Sequence, residues 1–139
     1  MRRLAEGILI VCACAAAVAA QGAAKTTWDG VYTDAQARRG EAAYQKSCAT
    51  CHAPDLSGVD GPSLTGPEFV KGWTDLTLDD LFERARTTMP AEAPGSLARD
   101  VYADIVALIL SKAGFPAGAA DLPSDNTALK QIKFVAQKP

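Results

Sequence analysis

The spacing of apolar residues changes several times along this chain, and each change marks a segment. From Gly7 to Ala20 apolar and small residues run without a charge behind the basic opening Met1-Arg2-Arg3, and they end at Val18-Ala19-Ala20 before Gln21. The run is well short of the roughly 20 residues a spanning helix needs, and its small-residue end suits signal peptidase. Residues 1–20 are therefore read as a secretory signal peptide, leaving no membrane span after cleavage. An uncleaved anchor, or lipid attachment at Cys12 or Cys14, is the alternative. Residues 21–30 have the composition of a short mobile arm.

Beyond Val31 the pattern becomes helical. Thr33 reads as an N-cap with Gln36 as its capping-box partner, opening a helix that runs to about Cys48. Along it Ala37, Gly40, Tyr44 and Cys48 share one face, with Gly40 a point where another backbone can come close. From Ala53 to Trp73 no period holds; Gly58, Gly61-Pro62, Gly66-Pro67 and Gly72 predict one long ordered loop. A loop of that length needs a reason, and wrapping a cofactor is one. Thr77 with Asp80 caps a second helix with the stripe Leu78, Leu81, Phe82 and Ala85, which stops before Pro90 and leaves Met89 at its end. Ser96, after Pro94-Gly95, caps a third helix carrying Leu97, Val101, Ile105, Leu108 and Ile109 and ended by Gly114 and Pro116. Residues 31–115 thus form one helical domain. Residues 116–139 are a tail with a weak pattern at Leu129, Ile132 and Val135, either laid on the domain or mobile.

Charge and cysteine count narrow the function. The chain carries 14 basic and 16 acidic residues, for a net charge of −2. Loss of the leader removes Arg2, Arg3 and Glu6 and makes the remainder more acidic by one unit. No basic face for nucleic acid follows from that balance. The leader also takes Cys12 and Cys14, so Cys48 and Cys51 remain as a pair in a compartment where free thiols oxidise.

Cys48-Ala49-Thr50-Cys51-His52 is Cys-x-x-Cys-His, the attachment motif of c-type haem, in which two thiols add to vinyl groups and the adjacent imidazole binds iron. At helical spacing the three residues stand at i, i+3 and i+4, so two sulfurs reach neighbouring edges of one macrocycle while the imidazole lies beneath its metal. A zinc knuckle needs about four ligands and finds too few here. A thioredoxin-like pair calls for alternating strands and helices. A disulfide closing so short a loop stabilises little. For the second axial ligand, Met89 is the methionine left once Met1 has gone, and the single histidine excludes a bis-imidazole pair. Pro90 holds Met89 out of helix. A gap-filling methionine, lysine ligation and an open iron site are the alternatives.

These pieces, taken with Gly61-Pro62-Ser63-Leu64, Met89-Pro90 and the final-helix run Asp104-Ile105-Val106-Ala107-Leu108, resemble the class I cytochrome c family over roughly Val31 to Gly114. The resemblance implies an all-α fold of about three main helices plus long loops wrapped around one haem c. It implies that the helix bearing Gly40 and Tyr44 crosses the one bearing Ile105 and Leu108. It further implies that the Pro62 carbonyl accepts a hydrogen bond from His52, strengthening the imidazole as a donor. Trp73 looks like the family's propionate-binding tryptophan, with an ordinary buried aromatic as the alternative. Leu108 departs from the family's aromatic at the helix crossing, which leaves Tyr102 or Tyr44 to fill that contact. The whole chain is similar to the small cytochromes associated with bacterial quinoprotein dehydrogenases.

The function expected from this reading is periplasmic electron transfer without substrate turnover. Cofactor binding falls to Cys48, Cys51, His52 and Met89, with His52 and Met89 on iron. The partners expected are a dehydrogenase donor and an oxidase or another cytochrome as acceptor. A haem-c subunit of a dehydrogenase complex, or a haem enzyme or gas sensor with an open distal site, is the alternative.

Overall fold

The structure, a computed structural model, describes residues 24–139. The expected signal peptide, with Cys12 and Cys14, lies outside the described residues. In chain order the elements are β1 (Lys25–Thr26), α1 (Asp34–Ser47), α2 (Ala49–His52), α3 (Gly66–Trp73), α4 (Leu78–Thr88), α5 (Arg99–Lys112), α6 (Asn126–Leu129) and β2 (Ile132–Lys133). The described residues are mainly helical, as the all-α expectation has it, with one parallel pair of two-residue strands added. No helix among the described residues is long and apolar enough to cross a membrane.

Helix ends follow the local chemistry. Thr33 caps α1 by accepting the Gln36 N–H at 3.0 Å, but the box is only half made. The Gln36 side chain is instead buried against the tail, accepting from the Leu122 N–H at 2.6 Å and donating to its carbonyl at 3.0 Å. At α4 both halves of the Thr77–Asp80 box are present. Gly114, at φ +89°, closes α5 in a Schellman arrangement, with Phe115 N–H on the Leu110 carbonyl at 3.1 Å and Gly114 N–H on Ser111 at 3.1 Å.

Two expected boundaries move. The loop expected over 53–73 is shorter, because residues 66–73 form α3: Pro67 sits in the first turn, where its missing N–H costs nothing. The partly buried Phe69, Val70 and Trp73 give α3 a face against the core. The third main helix begins at Arg99 rather than after Ser96. Ala98 is extended at φ −66°, ψ 152°, and the preceding Leu97 packs on the core from outside the helix.

α1 and α5 cross at Gly40. A Cβ there would land on the Asp104 carbonyl, so the small residue permits the crossing. The neighbouring Arg39 forks onto Asp104 at 3.0 and 3.1 Å and reaches Asp121 at 2.7 Å. Being half exposed, these ion pairs fix register more than they add stability. Tyr44, fully buried, fills the crossing beside Ile105 and Leu108, while Tyr102 packs edge-on against Phe82 at 6.4 Å. Of the two tyrosines expected at that contact, Tyr44 occupies it.

The expected mobile arm is corrected over its described part, and the question of the tail is answered. β1 pairs with β2 in register Lys25 to Ile132 and Thr26 to Lys133. Thr27 is buried, and the Trp28 indole N–H donates to the Val135 carbonyl at 2.9 Å. Leu122, Leu129, Ile132 and Phe134 of the tail belong to the main core cluster, together with Leu78, Phe82, Val106 and Leu110. Val135 is only partly buried; Phe134 takes the inward place. A small domain gains core by recruiting both ends of its described chain onto the helices.

Candidate functional site

α1 runs directly into the site. The Cys48 N–H bonds to the Tyr44 carbonyl at 2.8 Å and ends α1; the chain then turns once through α2, with His52 N–H on the Cys48 carbonyl at 3.0 Å. This single turn brings Cys48, Cys51 and His52 together at the spacing the motif requires. Both thiols are free and partly exposed. Burial, and next to it the charge of Cys51, pushes the Cys48 thiol up to about 11. That is the reverse of the depressed first thiol of a dithiol oxidoreductase.

His52 is almost fully buried, with its Nδ1 2.8 Å from the Pro62 carbonyl oxygen. A carbonyl only accepts, so Nδ1 carries the proton and Nε2 presents its lone pair. The hydrogen bond expected from the family resemblance is therefore present. Gly61 backs the ring: a Cβ there would stand 2.7 Å from Cε1.

The loop behind the turn is rigid because its N–H groups fold back onto it. Gly58 N–H bonds to the His52 carbonyl at 2.9 Å, while Val59 and Gly61 N–H share the Cys51 carbonyl at 3.1 and 2.9 Å. Tyr44 Oη donates to the Ala53 carbonyl at 2.7 Å, holding Ala53 at φ +65°, where a non-glycine residue is strained. α1 thus fixes the backbone on both sides of His52.

Met89 stands on a separate segment. It is the C-cap of α4, in extended conformation, with a cis bond to Pro90. Its N–H bonds to the Ala85 carbonyl at 2.9 Å, and its carbonyl accepts from Tyr102 Oη at 2.7 Å. It is tied to the Cys48–His52 turn through the packing of α4 on α5 and of α5 on α1. The Tyr102 contact and the seat of His52 on Gly61 are not deducible from sequence spacing, since both join segments far apart or set by loop curvature.

Apolar side chains left partly exposed mark where a flat group would fit. Leu64, Phe69, Leu97 and Val101 pack on the core cluster around Tyr44; Phe69, Trp73, Ala85 and Leu97 pack on the main one. Phe69 and Leu97 belong to both, so a seam of incompletely covered apolar surface runs between the clusters. Trp73 leans on Phe69 with ring centroids 6.2 Å apart, and its indole N–H has no protein partner among the described residues. Among the described residues no three His, Cys, Asp or Glu side chains gather to hold a bare metal ion. Two thiols, one imidazole with a presented Nε2 and an apolar seam fit a haem, which brings four of the iron's ligands itself. A shallow groove of about 710 Å³ between Trp28, Val70, Lys112 and Phe115 includes none of these groups.

Fold and site together define a c-type cytochrome domain. The family model described as "Cytochrome C oxidase, cbb3-type, subunit III" matches residues 35–109, and the chain belongs to this family of c-type cytochromes. The chain is also similar to "Cytochrome c-551" of Bacillus subtilis (strain 168), 35% identical over 83 residues that cover 60% of this chain and 69% of that protein. No solved structure matches the chain. The cofactor of the family is haem c, covalently bound with its iron, and its function is electron transfer.

Proposed function

We propose that the protein is an exported, periplasmic single-electron carrier whose haem is attached through Cys48 and Cys51, with His52 and Met89 on the iron. The observation that carries this reading is the Nδ1 bond from His52 to the Pro62 carbonyl, directly behind the Cys-x-x-Cys-His turn. It fixes one tautomer, leaves Nε2 unprotonated and raises the donor strength of the ring, which is what a permanent metal ligand requires.

When bound, the haem iron supplies the one-electron couple. The protein's own part is to hold still. His52 is clamped by Pro62 and Gly61, and the loop at 58–61 is pinned to the Cys51 and His52 carbonyls. Leu64, Phe69, Leu97 and Val101, partly buried on the cluster around Tyr44, would keep water from a bound haem. Little rearrangement then opposes electron transfer. Trp73 offers its indole N–H to a propionate.

The carrier takes electrons from a dehydrogenase and passes them to an oxidase or another cytochrome; the oxidase-subunit wording of the family description supports an oxidase on the acceptor side. Electron entry and exit use the surface beside the attachment turn, where Val59 is 72% exposed and its N–H rests on the Cys51 carbonyl.

The test is a pyridine haemochrome spectrum of the exported protein, made alongside a working maturation apparatus. Two saturated thioether links are expected in the wild type and one in Cys48→Ser or Cys51→Ser. Colourless protein, or haem that acid-acetone removes from the wild type, overturns the reading.

A further inference from the structure

We propose that Tyr102 is the positioning residue for Met89: its buried hydroxyl ties down the loop that brings the thioether to the iron and so keeps outside ligands off the metal. The inference rests on the reading of Met89 as the sixth ligand.

The segment 89–98 is held at its far end by Leu97, packed on the core, and by Tyr102 N–H on the Ala98 carbonyl at 3.2 Å; nearer Met89 it has few ties. Residues 91–96 are all exposed. The backbone bonds within the segment, from Ala93 to Pro90 at 2.9 Å, Gly95 to Met89 at 3.3 Å and Ser96 to Ala93 at 3.2 Å, join the loop only to itself. α4 holds Met89 from the N-terminal side through the Ala85 carbonyl. From any other element, the side-chain hydrogen bond that reaches 89–98 among the described residues is Tyr102 Oη to the Met89 carbonyl, at 2.7 Å. Tyr102 itself is 2% exposed and wedged against Phe82, so the donor is fixed by α4 and α5 together. A bond from a rigid core donor to the residue bearing the thioether restrains the position of Met89, whereas the same bond elsewhere in the loop would restrain only the loop.

The surrounding sequence makes this restraint consequential. Between Gly72 and Ser111 there is neither lysine nor histidine, so no side chain of that stretch can replace a displaced Met89 by a nitrogen ligand. With no such donor on the stretch that carries Met89, a loosened loop is expected to open the iron to solvent and to small external ligands.

The test uses ferric holoprotein and imidazole as the probe ligand, titrated by absorbance, in wild type, Tyr102→Phe and Met89→Ala. Tyr102→Phe keeps the ring against Phe82 and removes only the donor. Loss of a hydrogen bond of about 1.4 kcal/mol corresponds to a tenfold change, so Tyr102→Phe is expected to bind imidazole about tenfold more tightly than wild type. It should also weaken the long-wavelength charge-transfer band of thioether-ligated ferric haem, and Met89→Ala should abolish that band. Wild-type imidazole affinity and an intact band in Tyr102→Phe overturn the proposal, even if its thermal midpoint falls, because the bond would then be structural only. Met89→Ala separates the two ideas. An open iron in Met89→Ala with an unchanged Tyr102→Phe refutes the positioning role alone, whereas a Met89→Ala protein that behaves as wild type refutes the ligand reading and this proposal with it.

Discussion

Gly61 lies flat against the imidazole of His52: a Cβ at Gly61 would stand 2.7 Å from Cε1 and 2.9 Å from Nδ1. The ring has no way to yield, because its Nδ1 is bonded to Pro62 in the next residue of the same loop. Gly61→Ala must therefore tilt the imidazole or lift the loop off the Cys51 carbonyl. Overpacking of this kind costs about 1–3 kcal/mol. The expected result is a lower denaturant midpoint together with a displaced reduction potential, because the same movement alters the iron's ligand. Gly72, in α3, has nothing within 4 Å of a built Cβ. Gly72→Ala should leave the potential alone and stabilise the protein by about 0.5–1 kcal/mol, since alanine is the better helix residue. Equal behaviour of the two variants would refute the clamp.

Gly40 sets the distance between α1 and α5. Gly40→Ala drives a methyl into the Asp104 carbonyl, a backbone atom that cannot swing aside. The helices must separate, and with them Tyr44 and its hold on Ala53. A loss of about 3 kcal/mol is expected, the upper end for overpacking, read from urea unfolding of the holoprotein. A variant as stable as wild type would mean the crossing is looser than the structure has it.

Much of this arrangement is legible in the residues themselves, and the reasons differ from place to place. Thr33 and Thr77 with Asp80 announce helix starts because capping is local chemistry. Gly40 could be picked out because it shares a helical face with Tyr44 and Cys48. The attachment turn is readable because its three groups are fixed by spacing alone. α3 was hidden because Gly66, Pro67 and Gly72 punctuate its eight residues, and what holds them helical is packing of Phe69, Val70 and Trp73 on a core assembled from elsewhere. The tail is ambiguous for a related reason: Leu122, Leu129, Ile132 and Phe134 are scattered among polar residues and form a surface only when they meet Leu78, Phe82, Val106 and Leu110 in the main core cluster. Gln36 read as a capping-box residue, and the competing partner, the Leu122 backbone, lies too far along the chain to be seen.

That clasp makes the tail part of the domain. Gln36→Ala leaves the Leu122 N–H and carbonyl buried without partners, at a cost of about 1–3 kcal/mol for each unsatisfied group. Deleting residues 116–139 goes further, because it uncovers Leu78, Val106 and Leu110 as well. The truncated chain is expected to lose cooperative unfolding and to retain haem poorly, as measured by thermal melts followed in the Soret band. A stable, haem-loaded 1–115 fragment would show that the tail is an accessory.

One carboxylate at the same junction contributes to acid stability. Glu83 of α4 accepts from Arg86 at 2.6 Å, from Asn126 of α6 at 2.9 Å and from Arg99 of α5 at 3.4 Å. The Arg86 hydrogen bond, followed by the Asn126 bond and the charges of Arg86 and Arg99, outweighs burial and lowers the Glu83 carboxyl from 4.5 to about 2. The folded protein thus holds this proton more weakly than the unfolded chain does. The stabilising contribution is complete above about 4.5 and drains away as the pH falls from there through about 2. With Glu83 and Arg86 side chains 27% and 33% exposed, solvent screens the network, so the effect on stability is modest. Glu83→Gln should be less stable than wild type near neutral pH, and the gap should close as the pH drops below the ordinary carboxylate range. Urea midpoints of both proteins at several pH values measure that difference directly, and any acid sensitivity shared by the rest of the molecule cancels. Parallel curves down to the lowest pH would show that Glu83 does not hold the tail electrostatically.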